Sequence, residues 1–127
     1  MSENPVRDAI QDAIKDHEVI LFMKGTPERP MCGFSARTAA ALESLGAEYA
    51  AVDILPDPRI RQELSSISNW PTIPQLFVKG ELVGGCDIVT EMYESGELAT
   101  ALGVEQPSEA QEANAVEGAP LQIDNRL

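Results

Sequence analysis

The chain is poor in cysteine: its 127 residues contain two, Cys32 and Cys86. Two thiols so far apart build no disulfide framework, so the fold must rest on a core. Positive charge is also scarce. Nine Lys and Arg stand against 21 Asp and Glu, giving a net charge of -12. A nucleic-acid partner needs a basic stripe, and none is present. An anionic membrane surface is disfavoured for the same reason, whereas a small anionic ligand needs only a few local cations. Long apolar runs are missing too. None approaches the roughly 20 residues of a membrane-spanning helix. The polar, acidic stretch from Met1 to Asp16 lacks the apolar core of a secretory signal and the arginine-rich character of a transit peptide. A cytoplasmic location is expected.

What remains is an ordinary globular composition, 43% hydrophobic, enough for one core. Asn4-Pro5 followed by Val6, Ile10, Ala13 and Ile14 predicts a helix with one apolar face. Glu18 to Met23 predicts a buried strand, broken by Lys24-Gly25-Thr26-Pro27. Gly33 to Leu45 predicts a helix with Gly46 at its C-cap, and Glu48 to Ile54 a second strand. Asp57-Pro58 opens a helix that ends near Asn69. Gln75 to Val78 and Leu82 to Val83 flank a Lys79-Gly80-Glu81 turn and predict a hairpin. Helices over Asp87 to Tyr93 and Glu97 to Leu102 complete the domain, residues 1–103. This order predicts a four-stranded mixed sheet with helices on both faces, a thioredoxin-like α/β arrangement. Residues 104–127 carry Glu105, Glu109, Glu112, Glu117 and Asp124 against Arg126, with two prolines. They read as a disordered acidic tail in which Leu121-Gln122-Ile123 is the one candidate docking element.

Cys32 follows a strand and a loop and opens a helix. A helix N-terminus stabilises a thiolate through its free amides and dipole, and Lys24 adds a nearby cation. The alternative, a buried small hydrophobe, fits poorly beside Pro30, Gly33 and Ser35. Such a thiol is a nucleophile or a metal ligand. In Cys32-Gly33-Phe34-Ser35 the position of a second redox cysteine holds serine. Serine cannot resolve a mixed disulfide, so the partner thiol must come from another molecule. His17 reads as a solvated turn residue, Met92 and Tyr93 as core, and Trp70 as a packing or partner residue near the thiol.

Four motifs lie in order along the chain: Met23-Lys24-Gly25-Thr26-Pro27, Cys32-Gly33-Phe34-Ser35, Trp70-Pro71-Thr72-Ile73-Pro74-Gln75 and Gly84-Gly85-Cys86-Asp87-Ile88. Together they resemble the motif set of monothiol glutaredoxins that carry a Cys-Gly-Phe-Ser centre. The resemblance covers roughly residues 3–103. It implies a glutathione site in which Lys24 and Arg61 face the glycyl carboxylate. Ile73, in a Thr72-Ile73-Pro74 loop with a cis bond before Pro74, offers its backbone to the cysteinyl part. Gly85, Cys86 and Asp87 receive the γ-glutamyl end, where Asp87 is also a candidate helix N-cap. Phe34 is part structural and part ligand-facing.

Two uses of Cys32 follow. In the first, Cys32 is the metal ligand for a 2Fe-2S cluster, with two protomers and two glutathiones supplying four sulfurs. The resemblance adds BolA-like proteins and apo iron–sulfur proteins as partners. In the second, Cys32 is the catalytic nucleophile of a glutathione-dependent oxidoreductase; the resemblance implies weak activity in that role, with the loop insertion Thr26 to Met31 mis-aiming glutathione for the second attack. A third reading makes the acidic tail the docking element of a binding module. Glu28-Arg29 departs from the lysine common there in related proteins, which bears on glutathione affinity or on partner choice. A disulfide between Cys32 and Cys86 under oxidation stays open.

Overall fold

A computed structural model describes residues 4–104. The tail beyond Val104, with its candidate docking element at residues 121–123, lies outside the described residues. Helix α1 (Pro5–Asp16) starts where expected: the Asn4 side chain accepts the Arg7 N–H at 3.0 Å, and Pro5 takes the first helical position, where a missing N–H is harmless. Strand β1 (Val19–Met23) is buried at all five positions. Helix α2 (Gly33–Ser44) stops one residue earlier than predicted. Leu45 is its cap, and Gly46 follows with φ +66°, the left-handed conformation that turns the chain.

Strand β2 (Ala50–Asp53) is shorter than the predicted Glu48 to Ile54. Its length is set by its partner, since it pairs in parallel with β1 from Ile20 opposite Ala50 to Met23 opposite Asp53. Helix α3 (Pro58–Ser68) is capped by Asp57, whose carboxylate accepts the Arg59 N–H at 3.0 Å, and it ends on Asn69 at φ 57°. Strands β3 (Gln75–Val78) and β4 (Glu81–Gly84) form the hairpin. Helix α4 (Cys86–Ser95) and the short α5 (Glu97–Leu102) close the domain. The Val104 N–H still donates to the Ala99 carbonyl at 3.0 Å, and its side chain packs on the core.

The sheet order is β2-β1-β3-β4, with β1 antiparallel to β3 and β3 antiparallel to β4. Alternation along β1 sorts the interior into two halves. Val19, Leu21 and Met23 point to the face covered by α2, α4 and α5, where they meet Leu42, Val89 and Leu98. Ile20 and Phe22 point to the face covered by α1 and α3, where they meet Ile10, Ile14 and Leu64. There Phe22 and Phe77 pack edge to face, ring centres 5.8 Å apart. This is the thioredoxin-like mixed sheet with helices on both faces. No helix among the described residues is long and apolar enough to cross a membrane.

Candidate functional site

The loop after β1 delivers the thiol. It is closed by the Met31 N–H donating to the Lys24 carbonyl at 2.9 Å and by a reciprocal pair between Thr26 and Arg29 at 3.2 and 3.0 Å. Asp53, at the end of β2, accepts the N–H groups of Gly25 and Leu55 at 2.9 and 3.0 Å on one oxygen, fastening the loop to the neighbouring strand. Gly25 has φ +88°, and a Cβ there would lie 2.5 Å from the Arg29 carbonyl oxygen, so only glycine fits.

Cys32 emerges from this loop as the N-cap residue of α2, with extended backbone and a partly buried thiol. No amide closes a full cap hydrogen bond on Sγ. The first-turn N–H groups nevertheless point towards it. The Ser35 amide does most to hold the thiol below its ordinary pKa; partial burial opposes it, and the Phe34 amide, the Lys24 charge and the Ser35 hydroxyl pull the same way as the Ser35 amide. Ser35 itself is 0% exposed and its Oγ accepts the Lys24 N–H at 3.0 Å. Beside the thiol, Met31 and Phe34 are 63% and 55% exposed.

The residues singled out in the sequence line one groove of about 460 Å³. Lys24, Cys32 and Phe34 line it together with Arg61 of α3. Thr72, Ile73 and Pro74 form a further wall, and the Ile73–Pro74 peptide bond is cis. Gly85, Cys86 and Asp87 close the far end at the start of α4. Among the described residues, ion pairs join Arg7 to Glu63 and Arg59 to Asp57, so Lys24 and Arg61 keep no carboxylate partner. Two unpaired cations in a groove of an acidic chain suit an anionic ligand.

The far end differs from the sequence reading in one detail. Gly85, not Asp87, is the N-cap of α4, and Asp87 lies exposed in the first turn. Cys86 is the first helical residue and is buried, its Sγ 3.9 Å from the Thr90 hydroxyl. Both thiols are free. Trp70 and Ile88 also line the groove; both belong to the motifs, but the sequence reading assigns Trp70 only a packing or partner role near the thiol and Ile88 none. A Cβ on Gly85 would stand 3.2 Å from the Pro74 carbonyl oxygen and from the Trp70 indole nitrogen, which is why this wall is bare.

A family model for glutaredoxins matches residues 19–83. A probable monothiol glutaredoxin 2 of Rickettsia felis is 51% identical over 102 residues, 80% of this chain and 98% of its own length. The chain belongs to the monothiol glutaredoxin family. The solution structure of a monomeric truncated mutant of Trypanosoma brucei 1-C-Grx1 superposes with a TM-score of 0.72 at 48% identity, covering 80% of this chain and 96% of that one. A buckwheat glutaredoxin in complex with glutathione superposes at 0.69 with 25% identity, covering 77% and 87%. In this monothiol glutaredoxin, no group of three or more His, Cys, Asp or Glu side chains among the described residues could hold a metal ion. Of its two free thiols, Cys32 is partly exposed and Cys86 is buried.

Proposed function

We propose that this glutaredoxin binds glutathione in the groove beside Cys32 and carries a 2Fe-2S cluster as cargo for apo iron–sulfur proteins. The observation that carries the reading is Ser35 itself. Ser35 stands where a second redox cysteine would and has no thiol, so Cys32 has no resolving partner within its own motif; the serine is instead interior and hydrogen-bonded to Lys24.

Glutathione fits the groove's chemistry. Lys24 and Arg61 suit one carboxylate. The amides at the start of α4 suit the other, with Asp87 accepting from the ligand's ammonium. The cysteinyl part lies along Ile73, and its sulfur reaches the vicinity of Cys32. A buckwheat glutaredoxin of similar fold, solved in complex with glutathione, supports glutathione as the ligand. Two Cys32 thiolates and two glutathione thiolates make the four sulfurs a 2Fe-2S cluster takes. That count requires a homodimer, or a mixed complex with a BolA-like protein in which the partner supplies the remaining ligands. Because glutathione is a small exchangeable ligand, the cargo is released without unfolding the protein. A cytoplasmic setting, rich in reduced glutathione, suits this use.

A second reading rests on the lowered, accessible Cys32 thiol. Its thiolate attacks the glutathione sulfur of a glutathionylated substrate, expelling the substrate thiolate. A second glutathione thiolate then attacks the mixed disulfide, regenerating Cys32 and leaving oxidised glutathione.

Anaerobic reconstitution with iron, sulfide and glutathione separates the two. The carrier reading expects visible absorbance and a dimer on gel filtration, both lost in Cys32→Ser and both dependent on glutathione. A colourless monomer that rapidly reduces glutathionylated substrates would sink the carrier and leave the oxidoreductase.

A further inference from the structure

Gln75 is a polar side chain placed where a hydrocarbon would cost less. It opens β3 opposite Phe22, is 0% exposed and shares its face of the sheet with Phe77. Burying an amide is unfavourable unless each of its polar atoms finds a partner. Here Nε2 donates to the Trp70 carbonyl at 2.9 Å and to the Thr72 carbonyl at 3.1 Å, while Oε1 has no partner among the described residues. Two acceptors on one side fix the amide orientation, because only nitrogen can face both.

Both carbonyls belong to the segment between α3 and β3. The same segment supplies Trp70, Thr72, Ile73 and Pro74 to the groove. The unpaired Oε1 is thus the cost of a two-point clamp on one wall of the site.

We propose that Gln75 is a positioning residue of the groove: its amide clamps the Trp70–Thr72 backbone so that Ile73 meets the cysteinyl part of glutathione. This rests on the reading that the groove binds glutathione. A clamp of this kind trades stability for a shaped site.

The trade can be measured in the full chain. Gln75→Met keeps length and volume and removes both donors along with the orphan acceptor. Glutathione affinity is read by calorimetry and stability by thermal unfolding. The clamp expects glutathione binding weakened about tenfold in a chain that still unfolds cooperatively, whatever the direction of the Tm shift. Gln75→Leu, which also removes both donors at similar volume, gives the same loss of affinity and serves if Gln75→Met does not fold. A lower Tm with affinity within about twofold of the parent would mean that Gln75 only supports the fold, and the proposal would be wrong. If the parent chain itself gives no binding heat with glutathione, the groove reading and the clamp fall together. Parent binding with unchanged affinity in the variants removes the clamp alone.

Discussion

The Ser35 hydroxyl oxygen accepts the backbone N–H of Lys24 at 3.0 Å, joining the end of β1 to the first turn of α2. This bond holds together the cation and the thiol on either side of the loop. Ser35→Ala leaves a partly buried N–H without its acceptor. The expected loss is about 1–3 kcal/mol, read as a lower midpoint in chemical denaturation. An unchanged midpoint would mean that water replaces the hydroxyl at no cost.

Gly25 is a second point of tension in the same loop. Gly25→Ala places a Cβ against the Arg29 carbonyl and forces a left-handed φ on an L residue. A destabilisation of more than about 1 kcal/mol is expected. Cys32 alkylation should change as well, since the loop that aims the thiol must reopen. A variant with parental stability and parental labelling rates would contradict the strain argument.

The thiol should show its environment in its pH dependence. Folding lowers the Cys32 pKa, the Ser35 amide contributing most. For a group that ionises to an anion, the resulting stability is fully present above the unfolded pKa of about 8.5 and is lost as pH falls through the folded value. The stability difference between the parent and Cys32→Ser should therefore grow with pH across that window. Iodoacetamide labelling of Cys32 should have its midpoint below that of free cysteine, and Lys24→Gln should move it upward. A midpoint at the free value would remove the helix-terminus effect.

Lys24 and Arg61 share the groove without carboxylate partners among the described residues. Lys24→Gln and Arg61→Gln should each weaken glutathione binding about tenfold, the loss of one charge-assisted contact. Arg61 is the exposed member of the pair, so its contribution should shrink further as salt is raised. Calorimetry at two ionic strengths tests both statements. Equal affinity in parent and variants would place the ligand elsewhere.

The elements were legible wherever local signals bound them. β3 could be read to the residue because Pro74 precedes it and the Lys79-Gly80 turn follows. β2 was over-read because its ends are set by pairing with β1, a long-range matter that no local pattern records. The groove residues came from motif resemblance, and they do converge on one cavity. What stayed hidden were the fasteners. Asp53 holding Gly25, Ser35 holding Lys24 and Gln75 holding Trp70 are side-chain-to-backbone bonds between different elements or loops. Nothing in the identity of a serine or a glutamine announces the carbonyl or amide it will meet. Trp70 and Ile88 stand within the motifs, but no local pattern marks them as groove-lining residues; the indole nitrogen lies beside bare Gly85 and the Ile88 side chain beside Gly84.

The division of the interior along β1 makes immediate neighbours energetic strangers. Leu21 and Phe22 are consecutive in the chain, yet one packs beneath α2 and α4 and the other beneath α1 and α3. With a whole sheet between their side chains, substitutions at the two positions share no contacts and their costs should simply sum. Positions far apart in sequence but on one side, such as Phe22 and Phe77, are the ones whose changes interfere. Sequence drift in this domain is therefore free to proceed in one half of the interior without compensation in the other.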